Sequence, residues 1–186
     1  MCIRDRNRDD HSSRRRPQSN QPEQLGIVSP GGEAGEVDPS SPRFFLNLHD
    51  PVVDAPSIGP KMAERMAAIG ILTVQDFLQR PSSWISEKLE DARVTEETLK
   101  TWQAQSSLMC QMPGLRGHDA MLLVACEILT PAQISTYSPT ELLAVVGPFA
   151  DSREGQRLLR SANPPDLEEV TDWIQWSHLA RQLRAA

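Results

Sequence analysis

Two short stretches hold the residues best placed to do chemistry. Ser57-Ile58-Gly59-Pro60-Lys61 and Gly114-Leu115-Arg116-Gly117-His118 each put glycine, a basic side chain and a helix start within five residues. Glycine lets a backbone come close to a ligand, and the first N–H groups of the following helix point at anions. The chemistry on offer is phosphate binding. Its donors are the amides from Gly59 to Met62 and from Gly117 to Asp119, its charges Lys61 and Arg116, with Arg65 and His118 beside them. Pro60 has no N–H, so the first set lacks one donor.

Each stretch needs helices to hold it. In the first, Pro60 suits the opening position of a helix, and Met62, Ala63, Met66, Ala67 and Ile69 then recur at helical spacing. Gly70 ends that helix in the left-handed cap conformation. Thr73 caps the next, with Asp76 at the capping-box position and Leu72 placed to staple onto Phe77. The pattern returns at an offset of 57, which brings Pro56 onto Pro113, Ala63 onto Ala120, Ala68 onto Ala125, and Ile71 to Thr73 onto Ile128 to Thr130. There Thr130 is the cap, Pro131 the first helical residue, Gln133 the capping-box partner, and Leu129 with Ile134 the staple. The chain reads as a duplicated helical unit.

At these residues the chain resembles a known motif. Ser57 to Ala63 is similar to the hairpin of helix-hairpin-helix domains, whose usual form is glycine, a hydrophobic residue, glycine, three residues, then alanine. Gly114 to Ala120 is similar to it too. Ser57 replaces the first glycine in one copy and Arg116 the second glycine in the other. The run from about Phe44 to the C-terminus resembles an uncharacterised family of tandem helix-hairpin-helix-like domains, one without an established activity. The resemblance implies an all-α fold and a module that holds duplex DNA by its phosphates without reading sequence. Its contacts would be Ser57, Ile58, Gly59, Lys61, Gly114, Arg116, Gly117 and His118.

Between the two stretches, Ser82 or Ser83 is placed to cap a short helix carrying Trp84, Ile85 and Leu89. Thr95 caps a longer one, with Val94 stapling onto Leu99 and a stripe of Leu99, Trp102, Ser106, Met109 and Met112. Gly147-Pro148 is expected to close the second unit, and a short helix follows from Asp151 to Ser161. Asp166 caps the last helix, where Leu167, Val170, Trp173, Ile174, Ala180 and Leu183 form the buried stripe and Trp176 lies to one side. Acidic residues crowd its start, and Arg181 and Arg184 face the dipole at its end. The fold class is all-α, a compact bundle of about eight or nine short helices containing two helix-hairpin-helix-like repeats.

Composition limits the function. Met1 to Arg6, MCIRDR, resembles translated sequencing-adapter read-through and is left out of fold reasoning. Residues 1–43 read as a disordered tail or linker, since Asn7 to Pro42 holds almost no large apolar side chain. The Arg14 to Arg16 triplet within it reads as a solvated charge run. Phe44, Phe45, Leu46 and Leu48 open the helical domain, 44–186, as a packed strap. If those first six residues are read-through, the chain is expected to be the C-terminal piece of a longer protein.

No apolar run approaches the ~18 residues that cross a bilayer, no secretory signal is present, and a cytoplasmic location is expected. Cys2, Cys110 and Cys126 include no C-x-x-C pair, so reduced thiols are expected. His11, His49, His118 and His178 fall into no ligand spacing, and no metal or cofactor is expected. No Walker loop, G-x-S-x-G or H-E-x-x-H is present, and no enzyme is expected. Net charge is −6, and from Asp50 onward 12 Lys and Arg face 18 Asp and Glu. A nucleic-acid binder with that balance relies on a local patch. The acidic balance, Asp119 inside the second loop and one missing glycine per motif favour a competing reading. In it the loops are connectors and the domain is a helical adaptor for another protein, or for a preceding domain of the same polypeptide, through an apolar patch such as one around Trp176.

Overall fold

How each helix is started and stopped decides the course of this chain. A computed structural model describes residues 42–160 and 162–183, all within the unit Asp38–Ala186. The expectations for residues 1–41 and for Arg184 lie outside them. Among the described residues the fold is all-α. After a 3-10 turn at Val52–Asp54 come α1 (Pro60–Ala68), α2 (Val74–Gln79), α3 (Ser82–Leu89), α4 (Glu96–Gln111) and α5 (Gly117–Ala125). They are followed by α6 (Pro131–Ile134), α7 (Pro139–Asp151), α8 (Arg153–Leu159) and α9 (Leu167–His178). None of these helices is long and apolar enough to cross a membrane.

Local chemistry accounts for most boundaries. Pro60 opens α1, and the helix closes on Gly70 at φ 81, where Ile71 N–H reaches back 2.9 Å to Met66 O. Residues Met66 and Ile71 are both fully buried, supplying the apolar contact that accompanies such an ending. Helix α5 closes the same way on Glu127 at φ 61, with Ile128 N–H 3.0 Å from Leu123 O. Capping boxes at Thr73/Asp76, Thr130/Gln133 and Ser138/Glu141 start α2, α6 and α7. The caps at Thr73 and Thr130 form as expected. Leu72 and Leu129 stay 61% and 44% exposed while Phe77 and Ile134 turn fully into the core.

Other expectations are corrected. Pro81 takes the cap position of α3, so Ser82 lies inside the helix and no serine side chain caps it. Helix α7 runs through Gly147 and Pro148 to Asp151. Pro148 forfeits one helical N–H, yet Ala144, the residue four before it, is exposed, and Ala150 beyond it is fully buried. Ser152 then starts α8 at once, so α8 occupies only part of the expected 151–161. Gly155 fits there because a Cβ would stand 2.0 Å from Phe149 O. In α9, Val170 and Trp173 are fully buried but Leu167 is 48% exposed, and the helix stops before Ala180 and Leu183.

Helix α4 is the spine: it packs on α2, α3 and α5, burying Leu99, Ser106, Met109 and Met112. The expected strap also forms. Leu46 is fully buried, Gln75 N–H donates to Leu48 O (2.8 Å), and Gly114 N–H donates to Arg43 O (2.8 Å). Arg181 belongs to this junction rather than to the end of α9. Its guanidinium donates to Cys110 O (2.7 Å) and Asn47 Oδ1 (2.9 Å) and lies 3.8 Å over the Phe44 ring. One side chain thereby joins the strap, the last turn of α4 and the C-terminal segment.

Candidate functional site at the two loops

The two loops place corresponding residues in corresponding backbone. Ser57 has φ 65 and Gly114, 57 residues on, has φ 80. A non-glycine residue in that region is strained by about 1 kcal/mol or more. Ser57 is held there by its hydroxyl, which donates to Gln105 Oε1 (2.9 Å) on α4. The next residues, Ile58 and Leu115, are buried anchors. Gly59 and Arg116 then cap α1 and α5 at φ −90 in both cases, extended backbone that any residue adopts. Glycine is therefore dispensable at the position where Arg116 replaces it. Before the loops the two differ, since α4 leads into the second and only the three-residue 3-10 turn leads into the first.

The loops are neighbours. A Cβ on Gly117 would stand 4.0 Å from Pro56 Cγ, and a groove of about 500 Å³ is lined by Ser57 from the first loop and by Gly117, His118 and Met121 from the second. Arg160, at the end of α8, lines it too. The structure thus brings Ser57, Gly117 and His118 together. Ile58 and Gly114 are buried, and Lys61 and Arg116 are exposed, each opening on a different concavity.

Beside the first loop lies a concavity of about 820 Å³, lined by Gly59, Pro60, Lys61, Met62, Arg65, Asp91, Arg93 and Val94. No atom lies within 4 Å of where a Cβ on Gly59 would stand. Arg65 is committed to structure: it pairs with Asp91 and donates to Leu89 O (2.6 Å), closing the end of α3. The N–H of Arg93, then the Arg65 and Arg93 guanidinium groups, hold the Asp91 carboxyl down at about 2.

The second loop is covered and acidic. Ring atoms of Trp176 would stand 2.6–2.7 Å from a Cβ on Gly114, so the indole of α9 occupies the space that glycine leaves. Arg116 shares a concavity of about 260 Å³ with Asp119, Asp166, Glu168, Glu169 and Asp172. Asp119 is buried, accepting Arg116 N–H at Oδ2 (3.0 Å), with His118 Nε2 3.0 Å from its Oδ1. That partner raises the His118 pKa above its ordinary value, against the effect of burial. Burial, then the Asp119 charge, raises Glu169.

The residues from Pro56 to Arg181, which include both loops and end at the strap junction, match the family model described as Domain of unknown function (DUF4332). The chain belongs to this family. No curated protein and no solved structure matches it. Within this DUF4332 domain the sequence hid three neighbours of the loops: Trp176 on Gly114, Arg160 in the shared groove, and Glu169 beside His118 and Asp119. Each lies more than 40 residues from its partner, beyond the reach of any helical period. The crowding of Asp and Glu at the start of α9 was the one available signal, and dipole complementarity accounted for it.

Proposed function

We propose that this DUF4332 chain is a non-catalytic, sequence-nonspecific DNA-binding module of the cytoplasm, and that its loops are helix-hairpin-helix-like elements of a duplicated unit. The observation that carries this reading is the shared groove, in which Ser57 meets Gly117 and His118. One phosphate backbone laid along it would meet both loops. Positive φ at Ser57 and Gly114, and matching closures at Gly70 and Glu127, support a common origin for the two. Lys61, exposed at the open end of α1, supplies the main charge, with Arg160 along the groove and Arg116 beyond it.

A second reading, an adaptor for another protein or a preceding domain, is favoured by the acidic residues around Arg116, which repel phosphate. Fluorescence anisotropy of the full chain with labelled duplex and single-stranded DNA, at low and moderate salt, separates the two. Phosphate contact gives binding that weakens steeply with salt, ignores sequence and falls in the K61A/R116A double variant. Absence of binding even at low salt would leave the adaptor.

A further inference from the structure

We propose that His118, Asp119 and Glu169 form a binding site for a divalent first-row transition cation of the zinc or cobalt class. One imidazole nitrogen and two carboxylates, from α5 and α9, converge with ligand atoms all within 4.8 Å of one another. Asp119 is 3% exposed, and its Oδ2 is fixed by the Arg116 N–H, which leaves Oδ1 aimed at His118. The 3.0 Å contact between His118 Nε2 and Asp119 Oδ1 is a hydrogen bond, and a cation bound there would take the place of its proton. Ligands about 2.1 Å from a tetrahedral metal lie roughly 3.4 Å apart, so the His118 ring would swing outward by a few tenths of an ångström to admit the cation.

Glu169 is the third donor and the adjustable one. It occupies the third position of α9, where a capping-box glutamate would turn back to the Asp166 N–H. Among the described residues its carboxylate accepts no hydrogen bond and faces Asp119 and His118 instead. The side chain is half-buried. Two carboxylates held side by side, with Asp166 and Asp172 lining the same concavity, repel one another unless positive charge lies between them. Arg116 is the guanidinium there, and a divalent cation supplies the remainder.

One nitrogen and two oxygens without a thiolate suit zinc, cobalt, iron or manganese, and fit neither the all-oxygen cage of calcium nor the soft ligands of cuprous ion. Three protein ligands leave further positions for water. The site stands whether or not the loops bind DNA.

The test uses the full chain, reduced and stripped with a chelator, then titrated with cobalt(II) chloride and back-titrated with zinc chloride. One equivalent of cobalt should bind with visible d–d absorption and no sulfur-to-cobalt charge-transfer band, and zinc should displace it. H118A and E169Q should each weaken binding by about tenfold or more. Both positions are part-exposed, so the helices should persist by circular dichroism, and E169A repeats the test with a different side chain. The site is overturned by absence of cobalt and zinc binding, by a thiolate band that puts the metal on cysteine, or by affinity unchanged in both H118A and E169Q.

Discussion

At the first loop Ser57 holds φ 65 in the open, tied by its hydroxyl to Gln105; at the second Gly114 holds φ 80 beneath the indole of Trp176. Lys61, Arg65 and Arg93 with one carboxylate, Asp91, border the first concavity, whereas Arg116 with five carboxylates borders the second. The same turn of backbone thus serves two ends. In the first loop it leaves a helix start open to solvent, and in the second it admits an aromatic ring that packs α9 onto the loop itself. Conformation is local and repeats with the sequence pattern, while what covers a loop depends on residues far along the chain.

Replacing Gly114 tests this contrast most severely. G114A adds a Cβ 2.6 Å from the Trp176 ring and keeps the left-handed backbone. Strain of about 1 kcal/mol and overpacking of roughly 1–3 kcal/mol combine to a loss of about 3 kcal/mol. G59A, at φ −90 with open space around it, should stay within about 0.5 kcal/mol of wild type. Urea unfolding midpoints measure both, and equal losses would remove the distinction between a covered and an open loop.

The loops should also differ toward DNA. K61A should lower affinity several-fold and reduce the salt slope by about 1, the signature of one lost phosphate contact. R116A should do less, because the carboxylates around Arg116 already offset its charge. Anisotropy titrations at several salt concentrations compare them. A larger loss in R116A would reverse the assignment and make the second loop the principal contact.

A smaller effect sharpens the comparison of how α1 and α5 end. Glu127 holds φ 61 where Gly70 holds φ 81, and it is exposed. E127G should stabilise the protein by about 1 kcal/mol by relieving left-handed strain. A destabilisation on urea unfolding would show that the Glu127 side chain contributes something the backbone angle does not account for.

How much of this was legible in the sequence follows from the range of each interaction. The caps at Thr73, Thr95, Thr130 and Asp166 and the glycine ending at Gly70 were readable, because each is settled within about six residues. The stripe of α4 was readable because period alone defines it. The passage of α7 through Pro148 was not, since it depends on Ala144, four residues earlier, lying on an exposed turn where water can take the freed carbonyl. Arg181 was read as a dipole partner for α9 and instead serves α4, which a linear pattern does not encode. The site divides likewise. Gly59, Lys61, Arg116 and His118 announce themselves by neighbours in sequence, whereas Trp176 and Glu169 reach the second loop only through packing of α9.

The smallest expected effect concerns the anchor beneath the first loop. Asp91 ties Arg65 of α1 and Arg93 to the end of α3, and these contacts depress its carboxyl from 3.8 to about 2. A depressed acid stabilises the fold above its unfolded value and loses that contribution as pH falls through its folded value. The contribution is therefore full above 3.8 and fades toward about 2. D91N has no such charge, so its urea midpoints between pH of about 4 and about 2 should fall less steeply than those of wild type. The difference stays small because Arg65 keeps its 2.6 Å bond to Leu89 O, which does not titrate. Parallel acid limbs would mean that this carbonyl contact alone fixes Arg65, leaving Asp91 to set only the charge beside Lys61. In that case D91N should strengthen DNA binding at neutral pH without any change in stability.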